Sequence, residues 1–405
     1  RRLRRERPYG AFLCHHKAGA GALARQIKML MQVHCRSCIF LDSDELDDLE
    51  RLFDVVRCDT WNLVVLMSGD VLSRVWCAGE IATAHRNRVK IIAMPFDAFS
   101  CPNESQIQTI TGGWTEEERK TLLAHDITLS MVTAAYAHLA TLPEIRATRA
   151  AGISSKENAV QELVTSCQLP RQFGVVAENS FKEERSDVAI AILGAVGNIE
   201  ILASCEILQM MLQETLQFPV RVIYDVPEAS SPLAASLLAV LTPGVLENPT
   251  FAQTLLVYQE SHTPVLMVSV LADNYFQFPT PEFYAKLESD GLPALGDDVG
   301  HKLVDAYSEL FSTIALPFSP LASEAVLKLE VSELCRRRFR TLSVSKASAV
   351  SGESSKALLR GISEKSIDKS VSAAGSATSS RATSVQASPR ATHQPQAVTK
   401  ELRDS

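Results

Sequence analysis

Leu63-Val64-Val65-Leu66-Met67, separated by eight residues from Trp76-Cys77-Ala78-Gly79-Glu80, decides how this chain folds. The first stretch is an unbroken apolar run of strand length, so the strand it predicts is buried on both faces. The second sets a carboxylate on the first helical turn beyond that strand, where an α/β sheet gathers its chemistry. Trp76 and Glu80 stand four residues apart and share a helical face. An aromatic wall beside a carboxylate suits a flat, cationic or nucleotide-like ligand. The plainer reading of the pair is a solvated Glu and a core Trp.

Reading outward, Tyr9-Gly10-Ala11-Phe12-Leu13 predicts a first strand, followed by the polar turn Cys14-His15-His16-Lys17. Ala18-Gly19-Ala20-Gly21-Ala22 then opens a helix in which Leu23, Ile27, Leu30 and Met31 form a core-facing stripe. Cys38-Ile39-Phe40-Leu41 is a second strand, closed by Asp42 and by an acidic segment, Asp44 to Glu50, that is expected to run into another helix. Val89 to Pro95 is a fourth strand. Apolar strands alternating with helices predict an α/β fold, a parallel sheet covered on both faces.

This order resembles the TIR (Toll/interleukin-1 receptor) domain family, whose fold is flavodoxin-like. The resemblance rests on Phe12-Leu13-Cys14-His15, on Phe40-Leu41-Asp42, on Leu63 to Leu66 with Ser68, and on Trp76 through Glu80. Residues 8–150 are expected to form the domain. Some members cleave the nicotinamide-ribose bond of NAD and others are adaptors that bind further TIR domains, both in signal transduction and innate immunity. In the catalytic branch the essential Glu occupies the place of Glu80, with an aromatic residue four positions earlier, as Trp76 is. NAD is then a substrate, and no cofactor or metal is implied. The residue types agree with that chemistry. Nicotinamide departs from a cationic donor as a neutral ring, so one carboxylate at the ribosyl centre suffices, whereas ordinary glycosidases need a carboxyl pair.

The resemblance also places His15, His16 and Lys17 against the dinucleotide, by stacking and by phosphate pairing. The alternative for these three is a hydrated turn. Asp42 matches a family Asp near the ligand, or else caps the next helix. Cys14 stands where the family has Ser, and Ser68 ends the third strand. The loop after Asp42 lacks the family's customary Gly. Several other motifs carry less. Ala18 to Ala22 is not the dinucleotide fingerprint, because Ala24 takes the third glycine position. Asp42 to Asp47 lacks the ligand and the Gly of a calcium loop. Cys35-Arg36-Ser37-Cys38 beside His34 has no second pair at zinc spacing and reads as two free thiols. A phosphorelay receiver is excluded by Cys-His-His and Met-Ser where it needs acidic residues.

A second pass finds an internal repeat. Leu241-Thr242-Pro243-Gly244-Val245-Leu246 parallels Leu66 to Leu72, with Leu246 lying 174 positions beyond Leu72. Val188 to Leu193, Ile207 to Leu216, Val220 to Asp225 and Pro264 to Val270 supply the strand, helix, strand and strand of a second unit, and Ala306-Tyr307 with Leu310 echoes Ala135-Tyr136 with Leu139. Two tandem TIR-like copies are therefore expected. The offset puts Thr254 at the place of Glu80 and Thr250 at that of Trp76, so the second copy, 185–334, is expected to be catalytically silent. Residues 151–184 read as a linker or helical connection.

Residues 335–405 hold 13 Lys/Arg against 5 Asp/Glu, and residues 1–334 hold 27 against 42. The acidic globular part excludes a nucleic-acid groove. The basic segment, with 16 Ser, predicts a disordered tail. Arg336 to Ser343 and Arg381-Ala382-Thr383-Ser384 resemble basophilic kinase sites, which makes a protein kinase a candidate partner of the tail, and the plainer reading of both is a solvated linker. Nine scattered Cys fit a reducing compartment, and the longest apolar stretch, Val188 to Leu202, contains Asn198 and Glu200 and is too short for a bilayer. A cytoplasmic location is expected, with no membrane contact. No signal peptide is legible, and since the chain opens on Arg1 a preceding segment stays open.

Overall fold

In the computed structural model, β1 (Tyr9–Cys14), β2 (Cys38–Phe40), β3 (Thr60–Met67) and β4 (Lys90–Pro95) form a parallel sheet in the order β2-β1-β3-β4. The structure describes residues 7–339 apart from 47, 151, 172–187, 229–232, 261–265, 273–274 and 296–298. Successive side chains of a strand point to opposite faces. Leu63, Val65 and Met67 accordingly enter one core with Phe12 and Phe40, while Val64 and Leu66 enter another with Leu13 and Ile39. That is why the run shows no polar alternation. The first core is closed by the helices Val75–Arg86 and Leu129–Leu139, the second by Lys17–His34 and Ile153–Ser166.

A second parallel sheet is built from β5 (Ile190–Leu193), β6 (Val220–Val222), β7 (Ser236–Leu241), β8 (Leu266–Leu271) and β9 (Leu316–Pro317), in the order β6-β5-β7-β8-β9. Over its first four strands this repeats the order of the first sheet, which is the flavodoxin-like one. Registers correspond too, Cys14 pairing with Val65 and Leu193 with Ala239. Tyr136 donates its hydroxyl to the Leu72 carbonyl at 2.6 Å, and Tyr307 donates to Leu246 at 2.6 Å. Beside β4, Glu144 and Ala147 make isolated parallel bridges to Ala93 and Phe96, on the side of β4 away from β3.

Three expected elements differ. The acidic segment does run into helical chain, but not into one regular α-helix: a single turn, Asp42–Glu45, is followed by the contiguous short windings Leu49–Arg51, Leu52–Asp54 and Val55–Asp59. Clustered carboxylates repel along a helix face, and Asp44 is held elsewhere, accepting from Arg25 and from Lys28 at 2.7 Å. The helix expected over Ile207 to Leu216 begins at Ile199, because the Asn198 side chain accepts from the amides of Glu200 and Ile201. β6 ends at Val222, which leaves Asp225 beyond the strand. The connection 151–184 contains the helix Ile153–Ser166, and its residues 151 and 172–184 lie outside the described residues. The tail expected from 335 is helical at its start, since Cys335 to Arg338 end the helix Glu324–Arg338, and from 340 onward it lies outside the described residues with Ser343 and the Arg381 to Ser384 site. Among the described residues, no helix is long and apolar enough to cross a membrane.

Both sheets fall within one compact unit. Their common element is the Lys17–His34 helix, which packs against Ile153–Ser166 on one side and Ile199–Leu216 on another. Its polar side chains Arg25, Gln26 and Lys28 are all buried. Glu206, fully buried on the Ile199–Leu216 helix, takes hydrogen bonds from Gln26 at 2.7 Å, from the Tyr224 hydroxyl at 3.0 Å and from Lys156. Burial pushes the Lys156 ammonium below its ordinary pKa, against the pull of Glu206. Glu206→Ala would strand that ammonium among apolar groups, a loss of about 3–5 kcal/mol. Denaturant midpoints should show this loss, and the double change Lys156→Met with Glu206→Leu should recover most of it.

Candidate functional site

In a sheet of this order the chain leaves β1 toward one edge and β3 toward the other, so a crevice opens outside the carboxyl ends of those two strands. Cys14 is the last residue of β1, and Ser68 follows β3. The Val75–Arg86 helix brings Cys77 and Glu80 to the same place, since residues three apart share a helical face. The donor atoms of Cys14, Cys77 and Glu80 all lie within 4.8 Å of one another, and all three residues are buried. On this helix Gly79 leaves room for Phe53, whose ring would lie 2.4 Å from a Cβ placed there.

Glu80 is 6% exposed, and its Oε2 has no hydrogen-bond partner. Burial pushes its carboxyl up to about 8, the Cys14 thiol pulling it back and the charge of Asp42 adding to the rise. Burial likewise raises the Cys14 thiol well above its ordinary range, with Cys77 and Glu80 adding to the effect. The Cys77 thiol donates to the His15 carbonyl at 3.2 Å. The Ser68 hydroxyl is buried and unpartnered as well. Unsatisfied polar atoms in a protein interior are costly and mark places where a partner belongs.

The remaining predicted residues divide. His15 is inside, its Nδ1 3.1 Å from the Leu13 carbonyl and its Nε2 3.9 Å from Asp42. Burial lowers its pKa, Asp42 opposing. His16 sits 3.8 Å from Asp70, and burial and Arg74 lower it. Lys17 is exposed at the start of its helix. Asp42, on the one-turn helix after β2, hydrogen-bonds the Ser43 amide at 2.8 Å. Trp76 is half-buried, stacked on Phe53 at 5.5 Å and tilted toward His125 at 6.1 Å. Glu80 and Trp76 therefore share a helix but have different neighbours, thiols for one and rings for the other. Sequence reasoning assigned no role to Cys77, Phe53 or His125. For Cys77 the signal was its spacing of three from Glu80, whereas Phe53 and His125 come from segments whose patterns carry no such mark. Cys35 and Cys38 are free thiols. A cleft of about 650 Å³, lined in part by His85, Lys90, His138 and Glu162, lies at the other end of β4 and includes none of the predicted residues.

No family model matches the chain, and no curated protein matches it in sequence. Among solved structures, it is similar to the TIR domains of the activated Roq1 resistosome directly recognising the pathogen effector XopQ. That similarity covers 38% of this chain and 97% of the other, at 14% identity and a TM-score of 0.29. It is also similar to the C-terminal domain of glucosamine-fructose-6-phosphate aminotransferase from Francisella tularensis, over 80% of this chain and 83% of the other, at 14% identity and a TM-score of 0.20. Likenesses this distant leave the chemistry to the geometry of the site.

A carboxyl held near 8 when folded and near its ordinary 4.5 when unfolded favours the fold in its neutral form. That contribution is fully present below pH 4.5 and is lost as pH rises through 8. At about 1.4 kcal/mol per unit the loss reaches roughly 4–5 kcal/mol. Glu80→Gln, which stays neutral, should therefore gain stability over the parent between pH 5 and pH 9 in chelator-treated protein. Urea midpoints at the two pH values check it, and equal gaps would refute it.

Proposed function

We propose that the first sheet is a TIR-type signalling module that hydrolyses NAD to nicotinamide and ADP-ribose, linear or cyclic, with Glu80 acting at the ribosyl centre. The observation that carries this reading is a buried carboxyl with an unpartnered oxygen at the crevice between β1 and β3. The sequence motif around Trp76 and Glu80 supports it. In the reaction, the bond from ribose C1′ to nicotinamide nitrogen breaks and its electron pair neutralises the ring. The cationic ribosyl centre is stabilised by the Glu80 carboxylate or bonds to it transiently. Water then adds at C1′ with release of a proton to give linear ADP-ribose, or the adenine ring of the same molecule attacks C1′ in its place, again with release of a proton, to give the cyclic form.

Glu80 starts neutral, since burial raises it to about 8. A cationic nicotinamide beside it favours the ionised form, so in this reading substrate binding itself expels the proton and creates the catalytic carboxylate. Lys17, exposed at the start of its helix, is the candidate for a phosphate contact, and His15, His16, Asp42, Cys14, Ser68 and Trp76 are the further residues this reading assigns to NAD. The second sheet is proposed to be a degenerate copy. The shared strand order and the twin Tyr136 and Tyr307 hydrogen bonds support this, and Thr254, fully buried, stands in place of Glu80. Residues 8–150 and 185–334 would be the two domains, with other TIR domains as partners and the cytoplasm as the setting.

A second reading, a non-catalytic adaptor acting through TIR-TIR contacts or a sensor that binds NAD uncleaved, is favoured by one observation. Trp76 packs on Phe53 and Glu80 is enclosed, so the site stands closed. Nicotinamide release from NAD by the purified full chain, assayed at high protein concentration, separates the readings. The enzyme predicts release that falls at least about 100-fold in Glu80→Ala. Absence of release, or release unchanged in that variant, would overturn it, and NAD binding without turnover would establish the sensor.

A further inference from the structure

Cys14 and Cys77 are not needed by the chemistry proposed for Glu80, yet their thiols lie within 4.8 Å of its carboxylate and of each other. They come from rigid and separate elements, the carboxyl end of β1 and the first turn of the Val75–Arg86 helix. Among the described residues, these two thiols and Glu80 are the group of His, Cys, Asp or Glu side chains that converge closely enough to share one ion. Glu80 supplies the second observation, because it belongs to that cluster and its Oε2 is buried with no hydrogen-bond partner.

We infer that Cys14, Cys77 and Glu80 form a site for a thiophilic divalent cation of the zinc class, and that an ion held there blocks the catalysis proposed for Glu80. The second half of this statement rests on the NAD-cleaving reading; the first does not. Two thiolates and one carboxylate are a donor set zinc accepts, with a fourth position left for water. Zinc bonds of about 2.3 Å to sulfur and 2.0–2.2 Å to oxygen put tetrahedral donors roughly 3.3–3.8 Å apart. Donors already within 4.8 Å need to close by about an ångström, which side-chain rotation supplies. Hard cations such as magnesium and calcium prefer all-oxygen ligands and are disfavoured here. On binding, two S–H bonds and one O–H bond break, two metal–sulfur bonds and one metal–oxygen bond form, and three protons pass to solvent. No electrons are transferred. The carboxylate is then engaged and unavailable to a ribosyl cation. With its proton in place, the Cys77 thiol donates to the His15 carbonyl, which fixes where that sulfur sits.

The test is spectroscopic and uses the full chain, stripped with a chelator and titrated with Co2+ alone. The proposal expects one Co2+ per chain, with an intense thiolate-to-cobalt absorption in the near ultraviolet and visible bands of a tetrahedral site, both erased by Zn2+. Cys14→Ala and Cys77→Ala should each lower affinity at least tenfold, and Glu80→Gln about tenfold or more. The joint change Cys35→Ala with Cys38→Ala, which removes the other paired thiols, should leave the spectrum intact. If Cys14→Ala fails to fold, Cys77→Ala and Glu80→Gln carry the same comparison. No thiolate band, or a band that survives loss of Cys77 and disappears with Cys35 and Cys38, overturns the site. Nicotinamide release gives the second half its own arm: abolition by one equivalent of Zn2+ supports the block, and release unchanged with metal bound overturns it. A metal-free chain that never cleaves NAD defeats the catalytic reading and the block, while the cobalt spectrum still decides the site.

Discussion

A helix enclosed by protein on more than one side has to find partners for its polar side chains inside the protein, and the Lys17–His34 helix meets that constraint with charge. Arg25, Gln26 and Lys28 are all buried, so each would cost several kcal/mol if left unpaired. Gln26 meets Glu206 from the second sheet's leading helix. Arg25 reaches the Ala322 carbonyl at 2.7 Å, and Arg149 bridges the Gly19 carbonyl and Glu200. Apolar packing alone would let the two sheets slide over one another. Fixed donors and acceptors in a low-dielectric setting define one arrangement.

The same network reaches the candidate site through Asp44. Burial pushes its carboxyl up, but hydrogen bonds from Arg25 and Lys28 outweigh that and hold it below the usual carboxylate range. Its other oxygen accepts from the Glu324 amide at 2.7 Å, at the start of the Glu324–Arg338 helix beyond β9. Asp42, two residues earlier, is the carboxylate beside His15 and one of the charges that raise Glu80. The position of the loop after β2 is thus set in part by a segment about 280 residues away in sequence. The second sheet contributes to the site by holding that loop, even though it brings no side chain to Glu80.

What the sequence made legible follows from what is local. Leu63 to Met67 announced a doubly covered strand because the absence of polar alternation is itself the signature of two apolar faces. Glu80 could be singled out from its position just past such a strand only together with Trp76 four residues earlier and the order of the surrounding elements. The acidic run after Asp42 announced the helical winding it leads into but not its broken shape, which depends in part on Arg25 and Lys28, residues that its own pattern does not contain. Lys156 and Glu206 were invisible for the same reason: a Lys on an amphipathic helix reads as solvated until a second sheet is laid over it. Cys77 lay in plain view beside Trp76. Its meaning depended on Cys14 arriving from another strand, which no spacing within the helix records.

The two sheets also offer an internal comparison for the role of Glu80. Where the first places a carboxyl that burial holds near 8, the second, in the copy reading, places Thr254. Both side chains are buried with an unpartnered oxygen, but only one can acquire a charge there. Near neutral pH a hydroxyl at that position costs the fold only a missing hydrogen bond, whereas a carboxyl adds a growing ionisation penalty as pH rises. A fold indifferent to chemistry would gain by the neutral residue at both positions. Under the proposed reading, placing the costly group at the crevice beside β1 and β3 would be a trade of stability for function, and a cationic substrate is the ligand that would offset its ionisation penalty.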